Sequence, residues 1–203
     1  MRNIITTLFL LSICICSQAQ SLLDLFNSSS STTTATVEPT PLSNSSIAGE
    51  WSYTKLSVDL AEGSALKGFA GTAVIGQVES LLNGTASSSG ITANMFTVTF
   101  DGNNTATFIF KDNESKTEIP YSINVDQASI SFDMGSIKDI EIGSMTAQTT
   151  ITDGKAALLF IANDLIAVAD KLPDMADNTQ YQMIKGIAAN VDGLLLGITI
   201  TKL

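Results

Sequence analysis

Three side-chain chemistries are missing from nearly all of this chain. None of the 203 residues is a histidine, both cysteines (Cys14 and Cys16) lie near the N-terminus, and Arg2 is the only arginine. The lack of histidine excludes Ser-His-Asp and Cys-His catalysis and every histidine-ligated metal site. The lack of cysteine after residue 16 excludes thiolate metal sites and thiol redox chemistry there. We therefore expect neither a cofactor nor a bound metal.

Positive charge is also scarce. The chain has 20 acidic residues against 10 Lys and Arg, which gives a formal net charge of −10. Nucleic acid is excluded as a partner because phosphate binding needs a basic surface. An anionic membrane surface is disfavoured for the same reason. The acidity is best explained as a contribution to solubility.

The N-terminus has the three parts of a secretory signal. Arg2 supplies the positive charge, residues 4–16 form an apolar run, and Ala19 is a small residue at the expected cleavage site. The apolar run is shorter than the roughly 20 residues of a membrane-spanning helix, which is the alternative interpretation. We predict that residues 1–19 are a cleaved signal peptide. The mature chain would begin at Gln20, contain no membrane span, and be periplasmic or extracellular.

The rest of the chain divides into a linker and one domain. Residues 20–46 are rich in Ser and Thr, a composition that cannot bury enough apolar surface to fold, so we predict an N-terminal linker. Residues 47–203 are the predicted domain. Within it, apolar residues at helical spacing predict a helix over 61–83 that stops at Gly84, and a helical pair over 164–171 and 178–191.

Alternation of apolar and polar residues predicts about eight strands in the domain. In the first strand the alternation changes phase, which indicates a bulge near Lys55. Turns are expected at Asp101 to Asn104 and at Asp153-Gly154, and the stretch 140–151 is predicted as one strand. The fold class that follows is mainly β with added helices: an up-and-down antiparallel β-barrel, with a helix after strand one and a helical pair before the last strand.

The segment Gly49-Glu50-Trp51 resembles the Gly-x-Trp signature of lipocalins and other calycin barrels. Four segments follow one another along the domain: Gly-Glu-Trp-Ser-Tyr, an Ala/Gly-rich helix, Phe-Thr-Val-Thr-Phe-Asp-Gly-Asn and a final Val-Asp-Gly-Leu-Leu-Leu-Gly. In this order, over residues 47–203, they resemble a lipocalin-like family of uncharacterised secreted proteins of gut bacteria. Two features depart from the familiar lipocalins. The helices are additional, and no arginine is available to pack on Trp51. The resemblance implies the barrel and suggests ligand binding.

Aromatic residues on the inward faces of the predicted strands are the candidate ligand site. An eight-stranded barrel is just wide enough either to be filled by its side chains or to hold one small ligand. Trp51 is accordingly either core packing at one end or the floor of a cavity. We expect a small exported barrel that binds a small apolar ligand; the alternative is a structural or protein-interaction module with a filled barrel. The candidates are Trp51, Tyr53, Phe96, Phe108, Phe110, Tyr121 and Phe132.

An enzyme is not expected. Paired carboxylates of a glycosidase type are the remaining option, because that chemistry needs neither histidine nor cysteine. The sequence places these carboxylates in turns or on the polar faces of strands, where solvated surface is the better interpretation. The candidates are Asp112, Glu114 and Glu118 in one group and Asp133, Asp139 and Glu141 in the other.

Overall fold

A computed structural model describes residues 38–64, 69–111, 116–137, 140–172, 175 and 178–203. The predicted signal peptide, linker residues 20–37, and the carboxylates Asp112, Glu114 and Asp139 lie outside these ranges. The described elements are α1 (Asn44–Ile47), β1 (Gly49–Leu60), α2 (Phe69–Ser88), β2 (Phe96–Phe100), β3 (Thr105–Phe110), β4 (Lys116–Asn124), β5 (Ser129–Asp133), β6 (Ser136–Ile137), β7 (Ile140–Glu141), β8 (Ser144–Thr152), β9 (Lys155–Ile161), α3 (Ala162–Ala169), α4 (Thr179–Asn190) and β10 (Leu194–Lys202).

Eight of the strands close into a barrel. Their spatial order is β1-β10-β9-β8-β5-β4-β3-β2, and β1 also pairs with β2 to complete the ring. Every pairing in the barrel is antiparallel. The short strands β6 and β7 form a separate hairpin between β5 and β8. The predicted fold class is confirmed, including the positions of the helices before β2 and before β10.

The phase change in β1 is a real irregularity of the ladder. Pairing with β10 shifts register between Tyr53 and Lys55, so the extra residue is Thr54. A bulge moves the side chains that follow it to the other parity. Trp51 and Tyr53 before the bulge, and Leu56 after it, can therefore all face the interior.

Two predicted turns are confirmed by their geometry. The Asp101 carboxylate accepts hydrogen bonds from the backbone N–H groups of Asn103 (2.7 Å) and Thr105 (2.9 Å), which closes the β2–β3 turn. Asp153 and Gly154 both have positive φ, 50° and 69°, as a type I′ hairpin turn requires.

The predicted stop of the first helix was wrong. We expected Gly84 to end it, but α2 runs from Phe69 to Ser88 and continues through that glycine. The glycine that follows the helix is Gly90, with φ 83°, and Ile91 N donates to Ala86 O at 2.9 Å to close the last turn. The helical period was right, whereas the end is set by which glycine adopts the left-handed conformation.

The predicted strand over residues 140–151 also needs correction. Gly143 has a φ of 75° and breaks it into β7 and β8. The left-handed conformation of Gly143 interrupts the extended chain, so that β7 pairs with β6 whereas β8 pairs with β5. Met134 N donates to Gly143 O at 2.9 Å, which joins the hairpin to the end of β5.

The barrel has two different ends. At the one we call the helix end, β1, β3, β5 and β9 finish, and the connections that follow include α2, the β6–β7 hairpin, α3 and α4. Apolar residues of all three helices belong to the same buried cluster as the barrel interior. Of the helices in the described ranges, none has the length and hydrophobicity that crossing a bilayer demands.

The opposite end, which we call the base, carries α1 and the segment before it. Thr40 N donates to Ile151 O at 2.8 Å, and Ser43 and Ser46 form a reciprocal capping box around α1. Leu42 is 4% exposed and Ile47 fully buried. The segment from Thr40 onward therefore packs on the barrel, although its composition resembles that of the predicted linker. The boundary at residue 47 stays a prediction.

Helix α2 covers an unpaired edge of β1. The β1–β2 ladder includes only residues 49–52 of β1, so the edge beyond them has no strand partner there. The Asn83 side chain accepts from Leu56 N and donates to Leu56 O, both at 2.9 Å, as a neighbouring strand would. Glu79 forms an ion pair with Lys55. The Asn83 hydrogen bonds satisfy backbone groups of Leu56 that would otherwise lie at an open sheet edge.

Candidate functional site

All seven predicted site residues are buried and face the barrel interior. Trp51 and Phe96 are 0% exposed, and the remaining five are at most 4% exposed. Cross-strand pairing explains their shared direction, because residues opposite each other in a ladder point to the same face. Phe96 pairs with Phe110, and Tyr121 with Phe132. Their role in binding a ligand stays a prediction.

The first of two aromatic groups lies on β1, β2 and β3. Tyr53 stacks on Phe96 with ring centroids 5.0 Å apart and an angle of 24° between the rings. Phe96 also lies 5.3 Å from Phe110 and 6.2 Å from Phe108. This group forms one wall of the interior at the half nearer the helix end.

The second aromatic group crosses the interior. Phe100 meets Tyr121 edge-on at 5.3 Å, Tyr121 lies 6.5 Å from Phe132, and Phe132 lies 6.3 Å from Phe160. These rings come from strands that are not all neighbours, and the small residue Ala106 lies between Phe100 and Ile119 in the ladder. Sequence reasoning did not include Phe100 or Phe160 in the site. Alternation could have found Phe100, whereas Phe160 lies in a continuous apolar run whose faces the sequence does not distinguish.

Trp51 closes the base. Its indole N–H donates to Ile47 O at 2.7 Å, which joins the first strand to α1. The Lys202 ammonium lies 5.3 Å from the centre of the Trp51 ring, and the two residues are directly opposite in the β1–β10 ladder. A lysine thus occupies the place at which familiar lipocalins have an arginine. Gly49, two residues before Trp51, has a φ of 119°, a conformation that residues with a Cβ rarely adopt.

Two phenols lie among the apolar side chains of the interior. Burial raises the pKa of Tyr53 to about 12. Burial and the nearby Asp101 raise the pKa of Tyr121. The amides of Gly102 and Asn104 approach the Tyr121 hydroxyl from the β2–β3 turn, but neither has the geometry of a hydrogen bond. Both phenols stay neutral at physiological pH.

The helix end is rich in methionine. Every methionine after residue 1 belongs to an element or connection at this end, and the thioether side chain is unbranched and flexible, so it adapts to its surroundings. Three of them are only partly buried while packing against the core. The five residues are Met95, Met134, Met145, Met175 and Met183.

A polar contact fastens α3 to α4. The Tyr181 hydroxyl donates to the Asp170 carboxylate at 2.7 Å, and the Lys185 ammonium contacts both carboxylate oxygens at 2.7 and 2.9 Å. The hydrogen bonds from Lys185 and Tyr181 lower the pKa of Asp170. The pKa of Tyr181 is raised, mainly by burial and then by Asp170. This contact joins the end of α3 to α4 at the helix end of the barrel.

The candidate carboxylates within the described ranges are at the surface. Glu118 forms an exposed ion pair with Lys116 at 2.7 Å, and Asp133 and Glu141 are exposed at the end of β5 and in β7. In the part of the chain that the structure describes, no three Asp or Glu residues are placed to hold a metal ion. The geometry brings none of these carboxylates to the aromatic interior.

The barrel has eight strands in up-and-down order, and its base is closed by a tryptophan that follows Gly-x and packs under a cation. These features define a protein of the lipocalin type. The model of a lipocalin-like domain family matches residues 22–202, and the chain belongs to that family. No curated protein and no solved structure shows significant similarity to the chain.

Proposed function

We propose that this protein is an exported binding protein that holds a small apolar ligand in its barrel, entered from the helix end. The observation that carries the proposal is the difference between the two ends. Trp51, α1 and Lys202 seal the base with a hydrogen bond and a cation–π contact. The helix end instead carries the methionines, together with helices whose apolar side chains belong to the buried core. Adaptable side chains at one end and fixed packing at the other suit a site with one entrance.

The chemistry of the interior supports an apolar ligand. The buried residues of the described chain include five Ser and Thr residues but no charged residue. Among the inward-facing side chains are the aromatic groups around Phe96 and Phe132. Removal of an apolar ligand from water into such surroundings is favourable by about 25 cal/mol for each Å² of apolar surface buried.

A filled barrel that acts as a structural or protein-interaction module is the second candidate. The specific observation in its favour is the row of rings from Phe100 through Tyr121 and Phe132 to Phe160, which crosses the interior. Interdigitated aromatic side chains fill space as a protein core does. The row leaves the half near Tyr53 and the helix end as the proposed place for a ligand.

Binding of the neutral fluorescent probe N-phenyl-1-naphthylamine tests the proposal. Trp51 is the only tryptophan, so energy transfer from it to the probe reports binding to this chain. We expect saturable binding of one probe molecule. Mass spectrometry of the protein purified from its host under native conditions should also show a bound small molecule.

Two matched substitutions show whether the probe lies inside the barrel. Val58 is 5% exposed and faces inward near the helix end, whereas Thr150 is exposed on the outer face of β8. We expect Val58→Phe to weaken probe binding at least about tenfold by occupying the site, and Thr150→Phe to leave it unchanged. Both variants are first checked for a cooperative melting transition. Absence of saturable binding together with absence of a co-purified molecule would refute the proposal and favour the filled barrel.

A further inference from the structure

Helix α2 forms part of the wall around the barrel interior. The ladder between β1 and β2 stops at Ser52, and beyond it α2 lies along the edge of β1. Val78, Leu82 and Ala86 of α2 are at most 3% exposed and belong to the same buried cluster as the inward-facing side chains of the strands. If α2 left this position, the interior would be open to water beside β1, where β2 does not reach.

The sequence of α2 is a poor helix former. More than half of its residues are Gly, Ser, Thr, Asn, Val or Ile, which rank low in helix propensity. Its sequence contains one charged residue, Glu79, so no ion pair between successive turns supports it. The helix therefore depends on its contacts with the barrel to stay folded.

Two glycines in α2 weaken the helix further without being required by the packing. A Cβ at Gly76 or at Gly84 would have no atom within 4 Å, both positions are exposed, and neither has a positive φ. Alanine would fit at either position and would favour the helical state about two- to fivefold. The effect of these glycines is thus to lower the stability of the helix.

The contacts that hold α2 to β1 are ones that water can replace. The Asn83 side chain hydrogen-bonds to Leu56 N and Leu56 O, and water can make the same hydrogen bonds when the helix is absent. Glu79 forms an ion pair with Lys55, and the two side chains are 21% and 49% exposed. An ion pair so exposed to solvent contributes little.

The other helices at this end are joined to their neighbours by charged groups. Tyr181 and Lys185 of α4 bind the Asp170 carboxylate at the end of α3. The Lys171 ammonium donates to Glu141 O of β7 at 3.3 Å. These contacts link α3, α4 and the β6–β7 hairpin to one another, so α2 is the helix that can leave while the rest of the helix end stays in place.

We propose that α2 melts locally and reversibly while the barrel stays folded, and that its melting opens the interior beside β1. Local unfolding of this kind occurs in the least stable cooperative units of a protein. Gly63 and Gly90 lie on either side of the helix with φ values of 85° and 83°, and their freedom lets the chain turn away from the barrel. The inference rests on the proposed function, because it names the route by which a molecule reaches the proposed site.

Hydrogen exchange followed by mass spectrometry tests the melting. Peptides from residues 75–88 should exchange at least about tenfold faster than peptides from α3 and α4, because local melting exposes the α2 amides alone. Gly76→Ala combined with Gly84→Ala should slow exchange in α2 about fivefold or more. Gly186→Ala in α4 is the matched control, since Gly186 is also exposed and a Cβ there would have no atom within 4 Å. It should leave exchange in α2 unchanged.

Stopped-flow mixing with N-phenyl-1-naphthylamine tests whether the melting admits a molecule. The variant with both Gly76→Ala and Gly84→Ala should bind and release the probe about fivefold more slowly or slower still. Its Kd should be unchanged, because a gate slows entry and exit by the same factor. Gly186→Ala should bind and release the probe at the rates of the unaltered protein.

The remaining outcomes overturn the inference. If α2 exchanges no faster than α3 and α4, or if the two alanines slow exchange but not the probe, α2 is not the gate and the proposed function stands. Equal slowing of the probe by Gly186→Ala would assign the opening to α4 and would also overturn it. If the probe does not bind the unaltered protein at all, the proposed function fails together with the gate, whereas hydrogen exchange still shows whether α2 melts.

Discussion

Among the glycines of the described ranges, Gly197 is the position where one added methyl group should disturb the barrel most. It lies in β10 between β1 and β9, opposite Ser57 on one side and Leu159 on the other. A Cβ at this position would be 1.8 Å from Leu158 O, 2.8 Å from Leu158 C and 2.9 Å from Leu159 Cα. All three atoms belong to the backbone of β9, so no side-chain rotation can relieve the overlap.

The expected magnitude follows from that overlap. Overpacking typically costs about 1–3 kcal/mol, and a clash with a neighbouring strand in a closed barrel belongs at the upper end of this range. For a domain of this size each kcal/mol changes Tm by roughly 2–4 °C. Gly197→Ala should therefore lower Tm by roughly 6–12 °C, measured by circular dichroism.

Gly84→Ala is the matched control. Gly84 lies inside α2, and a Cβ there would have no atom within 4 Å. Replacing a helical glycine by alanine stabilises a protein by roughly 0.5–1 kcal/mol, so Tm should rise by a few degrees. If Gly197→Ala melted within about 2 °C of the unaltered protein, the close approach of β10 to β9 would be wrong.

Three other measurements test separate parts of the molecule. Leu42→Ala should lower the unfolding free energy in urea by about 2–3 kcal/mol, because Leu42 is buried at the base, whereas Leu203→Ala at the exposed C-terminus should change it little. Because its partners lower the pKa of Asp170, this carboxylate stabilises the fold above its unfolded pKa of about 3.9, and the stabilisation is lost as pH falls through the lower folded pKa. In urea melts at stepped pH, Asp170→Asn should therefore lose less unfolding free energy below about pH 4 than the unaltered protein, and identical profiles would contradict a stabilising contact of Asp170 with Tyr181 and Lys185. N-terminal sequencing of the protein from its host should start at or near Gln20, and retention of Met1 would rule out the signal peptide.

The course of the strands could be predicted from the sequence because the barrel buries one face of each. Alternation in β2, β3 and β4 identified inward residues such as Phe96, Phe108 and Tyr121, and the phase change in β1 located the bulge. The turns at Asp101 and at Asp153 could likewise be predicted from neighbouring residues alone. These features depend on residues two to four positions apart, which is the range over which a single sequence is informative.

Features that depend on distant residues could not be predicted. Lys202 lies over Trp51 only because β10 pairs with β1, and the Asn83 side chain hydrogen-bonds to the backbone of Leu56 only because α2 lies along the edge of β1. Where one face of a strand is polar, as in β2 and β3, the sequence by itself determined which residues face inward, through a period of two. Tertiary structure alone decided which of those residues meet, because partners more than 100 residues apart are brought together by barrel closure and not by any local pattern.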